Sequence, residues 1–433
     1  MRRMAGEPNF DENQEISSRV QAQYTRAPFP PVSFFPIVTG PPAGRIWLYS
    51  YPEVAYHAFR SYRRPAGRRI LDAGCGTGHG IVQIRHQAPG AEVHACDFSA
   101  QSLAIARQRI AAMGGEPVTF HALNLLDLSS LPGQFDAIFC SGVVHHTADP
   151  VRALAQLKSK LKPDGVLYLM LYSQFGRRET LLMQRALKLL CQDPTDQQEG
   201  LRLGRLIFDG LPPANPIATW ERVKWSNNHR QHAEAFIDMY VNANEKNYTI
   251  GGVAADLAAA GLKFLRFANA HEWVLANRMN AHPDLVARFD ALPPLAQSEV
   301  MENLFPNQDQ YLFFATHAET EPVQPDWLSA NSLVGWADQL TAIRSPLAVS
   351  LTAKPGPDGF IFWAGYFGQR TRLDDSAMQL LNRCDGRQTV RAIAATWEHQ
   401  PPATRQGKGL EWLRLLEANG LIYFKSLADG SPG

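Results

Sequence analysis

Residues 68–80, RRILDAGCGTGHG, end an apolar run in an aspartate and follow it with glycines spaced one residue apart, of which Gly74, Gly76 and Gly78 come first and Gly80 last. A strand that ends in closely spaced glycines and turns into a helix brings bare Cα atoms and backbone N–H groups against a ligand at the carboxyl edge of a sheet. Nineteen positions after Gly78, Asp97 closes the next apolar run, where a carboxylate can accept two hydrogen bonds from ribose hydroxyls. Together they point to a ligand containing a nucleoside. A dinucleotide fingerprint would need glycine at 74, 76 and 79, but position 79 is His79, so the spacing argues against a pyrophosphate on the helix N-terminus. Asp97 has an alternative use as a cap for the helix starting near Ser99, although Ser99 supplies that cap itself. Asp72 can face an ammonium group of the ligand or anchor the loop.

His145 and His146 follow a later apolar run, FDAIFCSG, and are the first candidates to move a proton at the same sheet edge. Each has an alternative as a cap or packing group for the loop that follows. Tyr172, at the end of VLYLMLY, is placed similarly and is the more natural core residue.

The elements that must position these groups are plainly marked. Between residues 68 and 172, RRILDAG, AEVHACD, VTFHAL, FDAIFCSG and VLYLMLY alternate with segments of helical period, the pattern of a parallel sheet flanked by helices. Asp149 and Pro150 open a helix with Val151, Leu154, Leu157 and Leu161 on one face, stopped by Pro163 and Gly165. Ser99 opens another with Leu103, Ala106 and Ile110 inward, ending at Gly114-Gly115. From Phe175 to about Tyr240 the pattern is irregular and helical, an insertion expected to cover the ligand crevice. A helix ending at Gly261, a strand over 262–268 and a last strand over 309–316 then close the sheet. The stretch AETEPVQPDW, residues 318–327, is the linker candidate. A strand pair, three short helices and a final strand follow it as a small winged-helix-like unit.

With 433 residues the chain can form two or three units, and 42 basic against 41 acidic residues give no net field to attract nucleic acid or a membrane surface. Cys75, Cys96, Cys140, Cys191 and Cys384 are scattered without a CxxC pair, so buried thiols in a reducing compartment are expected, with no disulfide frame and no metal site. No apolar run reaches the roughly 18 residues that span a bilayer, and the opening residues lack a signal-peptide core; a cytoplasmic protein is expected.

ILDAGCGTG, VHACDFSAQSLAIA, FDAIFCSGVVHH and LKPDGVLYLMLYS, in this order, resemble the class I S-adenosylmethionine-dependent methyltransferases over about residues 65–175. The resemblance implies an α/β fold: a doubly wound, mostly parallel Rossmann-like sheet with a helical insertion, beside a small α+β winged-helix domain. It implies S-adenosylmethionine as cofactor, with Gly74, Cys75, Gly76 and Gly78 along its methionine part, Asp72 nearby, Asp97 on the ribose and Phe98 beside the adenine. Asn124, with Leu125 after it, stands where such enzymes usually carry an acid for the adenine amino group. Ser141 and Gly142 would border the sulfonium. VQAQYTRAPFP, residues 20–30, resembles a Q-Y-x-x-x-P-Y-P segment of some bacterial methyltransferases, which also share SGVLHHxxDP and LYS. That likeness implies that Gln23 and Tyr24 fold back over the cofactor, where an aromatic face favours a sulfonium.

The C-terminal segment is similar to PqqD-type winged-helix modules, which implies a peptide or protein partner at its exposed strand. The expected organisation is an arm with cap helices over 1–64, a methyltransferase domain over 65–317 with its lid at about 176–245, a linker over 318–345, and the small domain over 346–433. The acceptor stays open among peptide, protein and small metabolite. A nicotinamide-dependent oxidoreductase using NAD shares the sheet and the Asp97 role but conflicts with the glycine spacing. A methyltransferase-like peptide-binding protein without catalysis is the other alternative.

Overall fold

The computed structural model describes residues 10–40, 50–279, 282–321, 333, 337–344, 352–356, 359–364, 369–373, 375–396, 402–418 and 421–426. Its centre is a seven-stranded sheet in the order β3-β2-β1-β4-β5-β7-β6. The strands are β1 Arg69–Ala73, β2 Glu92–Asp97, β3 Val118–Ala122, β4 Phe135–Ser141, β5 Leu161–Tyr172, β6 Leu262–Phe267 and β7 Gln310–His317. β1 to β5 run parallel, and β7 is antiparallel to both β5 and β6. β1 and β4 are buried along almost their whole length, as strands covered on both faces must be. Strand order reverses between β1 and β4, and α/β sheets open a crevice at such a switch point.

Helices cover both faces. α1 (Phe10–Arg26) and α2 (Tyr51–Phe59) precede β1; α3 (His79–Gln87), α4 (Ala100–Met113) and α5 (Pro150–Lys160) connect the parallel strands. Ser99 caps α4 by accepting from Ser102 N–H, and Asp149 caps α5 by accepting from Arg152 N–H. Five helices follow β5: α6 (Arg178–Leu190), α7 (Gln197–Gly210), α8 (Pro216–Trp225), α9 (Asn228–Gln231) and α10 (Ala233–Tyr240). They form a helical insertion, the lid, with a core of its own around Met183, Leu187, Phe208, Phe236 and Tyr240. α11 (Ile250–Ala259) then leads into β6.

The C-terminal region differs from the expected strand pair. It holds two three-stranded antiparallel sheets, β11-β10-β9 and β12-β8-β13, where β9 is Thr352–Gly356, β10 Gly359–Ala364 and β11 Gln369–Leu373. β8 is Leu340–Arg344, β12 Asp385–Thr389 and β13 Ile422–Ser426. β8 therefore lies inside the stretch expected as linker, 318–345, and is the middle strand of its sheet. The acid- and proline-rich run at 318–327 masks the short alternating LTAIR behind it. Residues 322–327 of that run lie outside the described residues. Leu380, Val390, Ile393, Leu413, Ile422 and Phe424 form a core with Tyr56 of α2, so this unit packs directly on the N-terminal region of the chain. Among the described residues no helix is long and apolar enough to cross a membrane.

Candidate functional site

The turn after β1 is held by its own backbone. Gly74 and Cys75 N–H both donate to Cys96 O at the end of β2, Thr77 N–H to Phe29 O, and Gly78 N–H to Cys75 O. Gly76 N–H donates to Asp97 Oδ2 at 2.9 Å. All five amides from Gly74 to Gly78 are thus committed to protein acceptors, and the turn offers a ligand its bare Cα surface. None of the five is left to cradle a pyrophosphate. Gly76 has φ +51°, and a Cβ there would run into the Phe29 carbonyl oxygen of the N-terminal segment. Gly78 departs from expectation. It is absent from the cavity wall, and its Cα face lies against Ala106, where a Cβ would wedge α3 away from α4.

A cavity of about 680 Å³ opens at this switch point, in the size range of small-molecule sites. At the carboxyl ends of β1 to β4 it is lined by Asp72, Gly74, Cys75, Gly76, Asp97, Phe98, Asn124, Leu125, Ser141 and Gly142. Asp97 receives Gly76 N–H on one oxygen and Ser99 N–H on the other at 2.8 Å, which leaves a lone pair on each. Burial pushes its carboxyl pKa up while those amides oppose the shift. Asp72 is pushed up to about 7, by burial first and then by the charge of Asp97. Its Oδ2 is buried with no hydrogen-bond partner among the described residues. An orphaned carboxylate oxygen in a cavity wall fits a cationic ligand group, and the ammonium of S-adenosylmethionine is one. Asn124 Oδ1 accepts from Leu126 N–H at 3.0 Å and keeps one lone pair, so the amide can still meet an exocyclic amine. The Cys75 thiol is buried and its pKa is held high by that burial, which makes it a wall group and no nucleophile.

The two histidines part company. Val144–His146 form a 3-10 turn, which sends successive side chains about 120° apart. His145 is fully buried against the Tyr172 ring, 4.0 Å between centroids, with neither ring nitrogen hydrogen-bonded among the described residues. Burial holds its pKa well below the usual imidazole range. It does not line the cavity and is corrected from catalytic candidate to packing residue. His146 does line the cavity. Its Nδ1 lies 2.8 Å from Asn244 O. A carbonyl only accepts, so Nδ1 carries a proton, and in the neutral ring Nε2 holds the lone pair.

The N-terminal helix forms the roof, with Ser17, Val20 and Tyr24 on the cavity wall. Ser99 Oγ donates to Tyr24 O at 3.1 Å and Gln21 Nε2 to Phe98 O at 2.8 Å, which docks α1 on the loop that carries Asp97. The Tyr24 hydroxyl donates to Asp238 Oδ1 of the lid at 2.8 Å. Gln23 is buried beside the lid, its Oε1 accepting from Gln197 Nε2 and Ala243 N–H, and it stays out of the cavity wall.

The far end of the cavity was not anticipated from the sequence. Arg177, Trp225, His229, His232, Asp238 and Met239 come from the lid, Phe34 and Phe35 from the N-terminal segment, and Asp309 and Gln310 from the start of β7. His79 stacks on Phe35 at 3.8 Å, and burial lowers its pKa to about 4. Arg177 lies 3.6 Å over the Tyr172 ring and pairs with Glu245 at 2.8 Å. Among the described residues no group of three or more His, Cys, Asp or Glu is arranged to hold a metal ion.

Residues 71–167 match the family model described as a methyltransferase domain. The uncharacterized protein syc1184_c of Synechococcus sp. is 37% identical over 323 residues, covering 74% of this chain and 76% of that protein. The ubiquinone biosynthesis O-methyltransferase of Xanthomonas axonopodis pv. citri is 32% identical over 136 residues, 29% of this chain and 56% of its own length. Among solved structures, PKMT2 from Rickettsia typhi in complex with AdoHcy superposes with a TM-score of 0.62 over 90% of this chain and 78% of that one. At 13% identity that likeness is one of fold.

Proposed function

Because the chain belongs to the same family as the Synechococcus protein and carries a class I S-adenosylmethionine-dependent methyltransferase domain, we propose that it moves a methyl group to an acceptor seated under the lid. S-adenosylmethionine is the cofactor and supplies a methyl group already activated on a sulfonium. The observation that carries the reading is one cavity with Asp72 and Asp97 at its cofactor end and a lid-built wall at the other.

The roles follow from the wall. Asp97 accepts the ribose hydroxyls on its remaining lone pairs, Asp72 Oδ2 takes the ammonium, and Phe98 lies beside the adenine with Asn124 at its edge. Ser141 and Gly142 border the sulfonium, and Tyr24 closes it from above. His146 accepts the acceptor's proton on Nε2, while its bond to Asn244 holds the ring in the competent tautomer. The lid excludes water, so the chain contributes mainly orientation and desolvation.

Titration of the full chain with S-adenosylhomocysteine and with NAD tests the cofactor, and binding of NAD alone overturns the reading. Asp97→Ala is expected to weaken S-adenosylhomocysteine binding by roughly 1.5–3 kcal/mol, the worth of hydrogen bonds to a charged acceptor.

A further inference from the structure

The charges around the lid-side half of the cavity do not balance. Arg177 is matched by Glu245 at 2.8 Å, and Lys224 is matched by Asp309 at 3.3 Å. Among the described residues, the hydrogen-bond donors to the Asp238 carboxylate are neutral, the Tyr24 hydroxyl at 2.8 Å and the Asn242 amide at 3.5 Å, both on the same oxygen. Asp238 is 4% exposed, and it lines the cavity. Arg177 and Glu245 act on it with opposite signs and are tied to each other, and His146, the remaining neighbour, brings no charge while its Nε2 keeps the lone pair. A buried carboxylate with neutral partners is expensive to keep ionised. Such a group in a cavity wall fits a ligand that brings the opposite charge.

Resting on the methyltransferase reading above, we propose that the methyl acceptor is a primary amine that enters protonated, selected by Asp238. The ammonium donates to the Asp238 carboxylate and lies against the Tyr24 ring, whose face favours a cation. Two cations within methyl-transfer distance repel each other, so the carboxylate offsets the sulfonium–ammonium repulsion and the repulsion assists loss of a proton. That proton passes to His146 Nε2. The freed nitrogen lone pair forms the N–C bond as the C–S bond breaks, and the sulfur keeps the bonding pair as S-adenosylhomocysteine. The product leaves as an N-methylated ammonium, and the proton on His146 goes to solvent. A phenolate, carboxylate or phosphate acceptor would meet the repulsion of Asp238, with the lid-side cations Arg177 and Lys224 already paired to acids.

The full chain saturated with S-adenosylhomocysteine is titrated calorimetrically with n-hexylamine, n-hexanol and hexanoate at pH 7. The amine is expected to bind at least about tenfold tighter than the alcohol, the weight of one hydrogen bond between charged groups, with hexanoate weakest. Asp238→Asn, checked for retained S-adenosylhomocysteine binding, is expected to bring amine and alcohol to within about twofold. Amine binding that is undetectable or no tighter than the alcohol's overturns the proposal, as does a preference undiminished in Asp238→Asn. The wild-type comparison decides alone if that variant does not fold. Failure to bind S-adenosylhomocysteine sinks the methyltransferase reading itself, whereas binding it without amine preference sinks only the acceptor class. Transfer of a labelled methyl group into lysate separates the amine sources. Label recovered as an N-methylated amine supports the proposal, from acid-precipitable material for a polypeptide side chain or from the soluble fraction for a free amine; label in an ester or ether overturns it.

Discussion

The hydroxyl of Tyr24 donates to Oδ1 of Asp238 at 2.8 Å across 214 residues of chain. This bond ties α1, the roof of the cofactor end, to α10, the wall of the acceptor end. Because the Tyr24 carbonyl also receives Ser99 Oγ beside the Asp97 loop, one residue touches both halves of the site.

Tyr24→Phe removes that hydroxyl and leaves Asp238 buried with the Asn242 amide as its remaining donor among the described residues. Denaturant unfolding is expected to show a loss of roughly 1–3 kcal/mol, the penalty for an under-satisfied buried charge. S-adenosylhomocysteine affinity should fall with it, since α1 loses its hold on the lid. A variant with wild-type stability and affinity would show that the bond is incidental.

Asp72 sets a pH signature. An unfolded carboxyl titrates near 3.9, whereas the buried one titrates at about 7, so the folded chain holds the proton more tightly. That preference is fully present below about pH 4 and is lost as the pH rises to about 7, and Asp97, shifted in the same direction, adds to the fall. The denaturant midpoint of the ligand-free protein is expected to drop across this window, less steeply in Asp72→Asn. An ammonium at Oδ2 stabilises the charged form and reverses the shift. Binding S-adenosylhomocysteine near pH 6.5 should therefore release protons, read by calorimetry in buffers of different ionisation enthalpy, and release fewer in Asp72→Asn.

The neighbours His145 and His146 should respond oppositely to substitution. His146→Gln keeps a hydrogen-bonding group but no base, and the methyl-transfer rate is expected to fall on the order of 10²- to 10⁴-fold with little change in cofactor affinity. His145→Phe fills the same space under Tyr172 without a buried, unpartnered ring nitrogen, so the rate should hold and any change should appear in the thermal midpoint. Equal rate losses in the two variants would remove the distinction drawn from the 3-10 turn.

β1 to β5, the caps at Ser99 and Asp149 and the acids Asp72 and Asp97 are legible because strand period, capping residues and the glycine turn are local signals. His145 and His146 are equivalent in sequence, and only the direction of each side chain in a tight turn separates them. Arg177, Trp225 and Asp238 are invisible because tertiary packing decides which helix face of the lid meets the cavity. One trace was present. In AEAFIDMY every position from Ala235 to Tyr240 is buried, and an acid inside such a run needs a partner or a task. β8 went unrecognised for a different reason: five residues of alternating pattern behind a proline-rich run are too short to call against a linker.

The join between the C-terminal unit and the rest of the chain gives a last test. Glu417 is buried and accepts from the Tyr56 hydroxyl at 3.1 Å while pairing with Arg60, and Tyr56 belongs to the C-terminal core cluster. Glu417→Gln keeps the shape and removes the charge. Breaking a fully buried pair costs roughly 3–5 kcal/mol, but the Arg60 side chain is 21% exposed and partly solvated, so a smaller loss of roughly 1–3 kcal/mol is expected. Adding Arg60→Met should recover part of it, because the unmatched cation goes with its partner. The wild-type chain should unfold with the C-terminal unit and α2 in one transition, whereas Glu417→Gln should let the C-terminal unit melt first. Two separate transitions in the wild type, followed by far-ultraviolet circular dichroism and tryptophan fluorescence, would show that the shared core does not couple them.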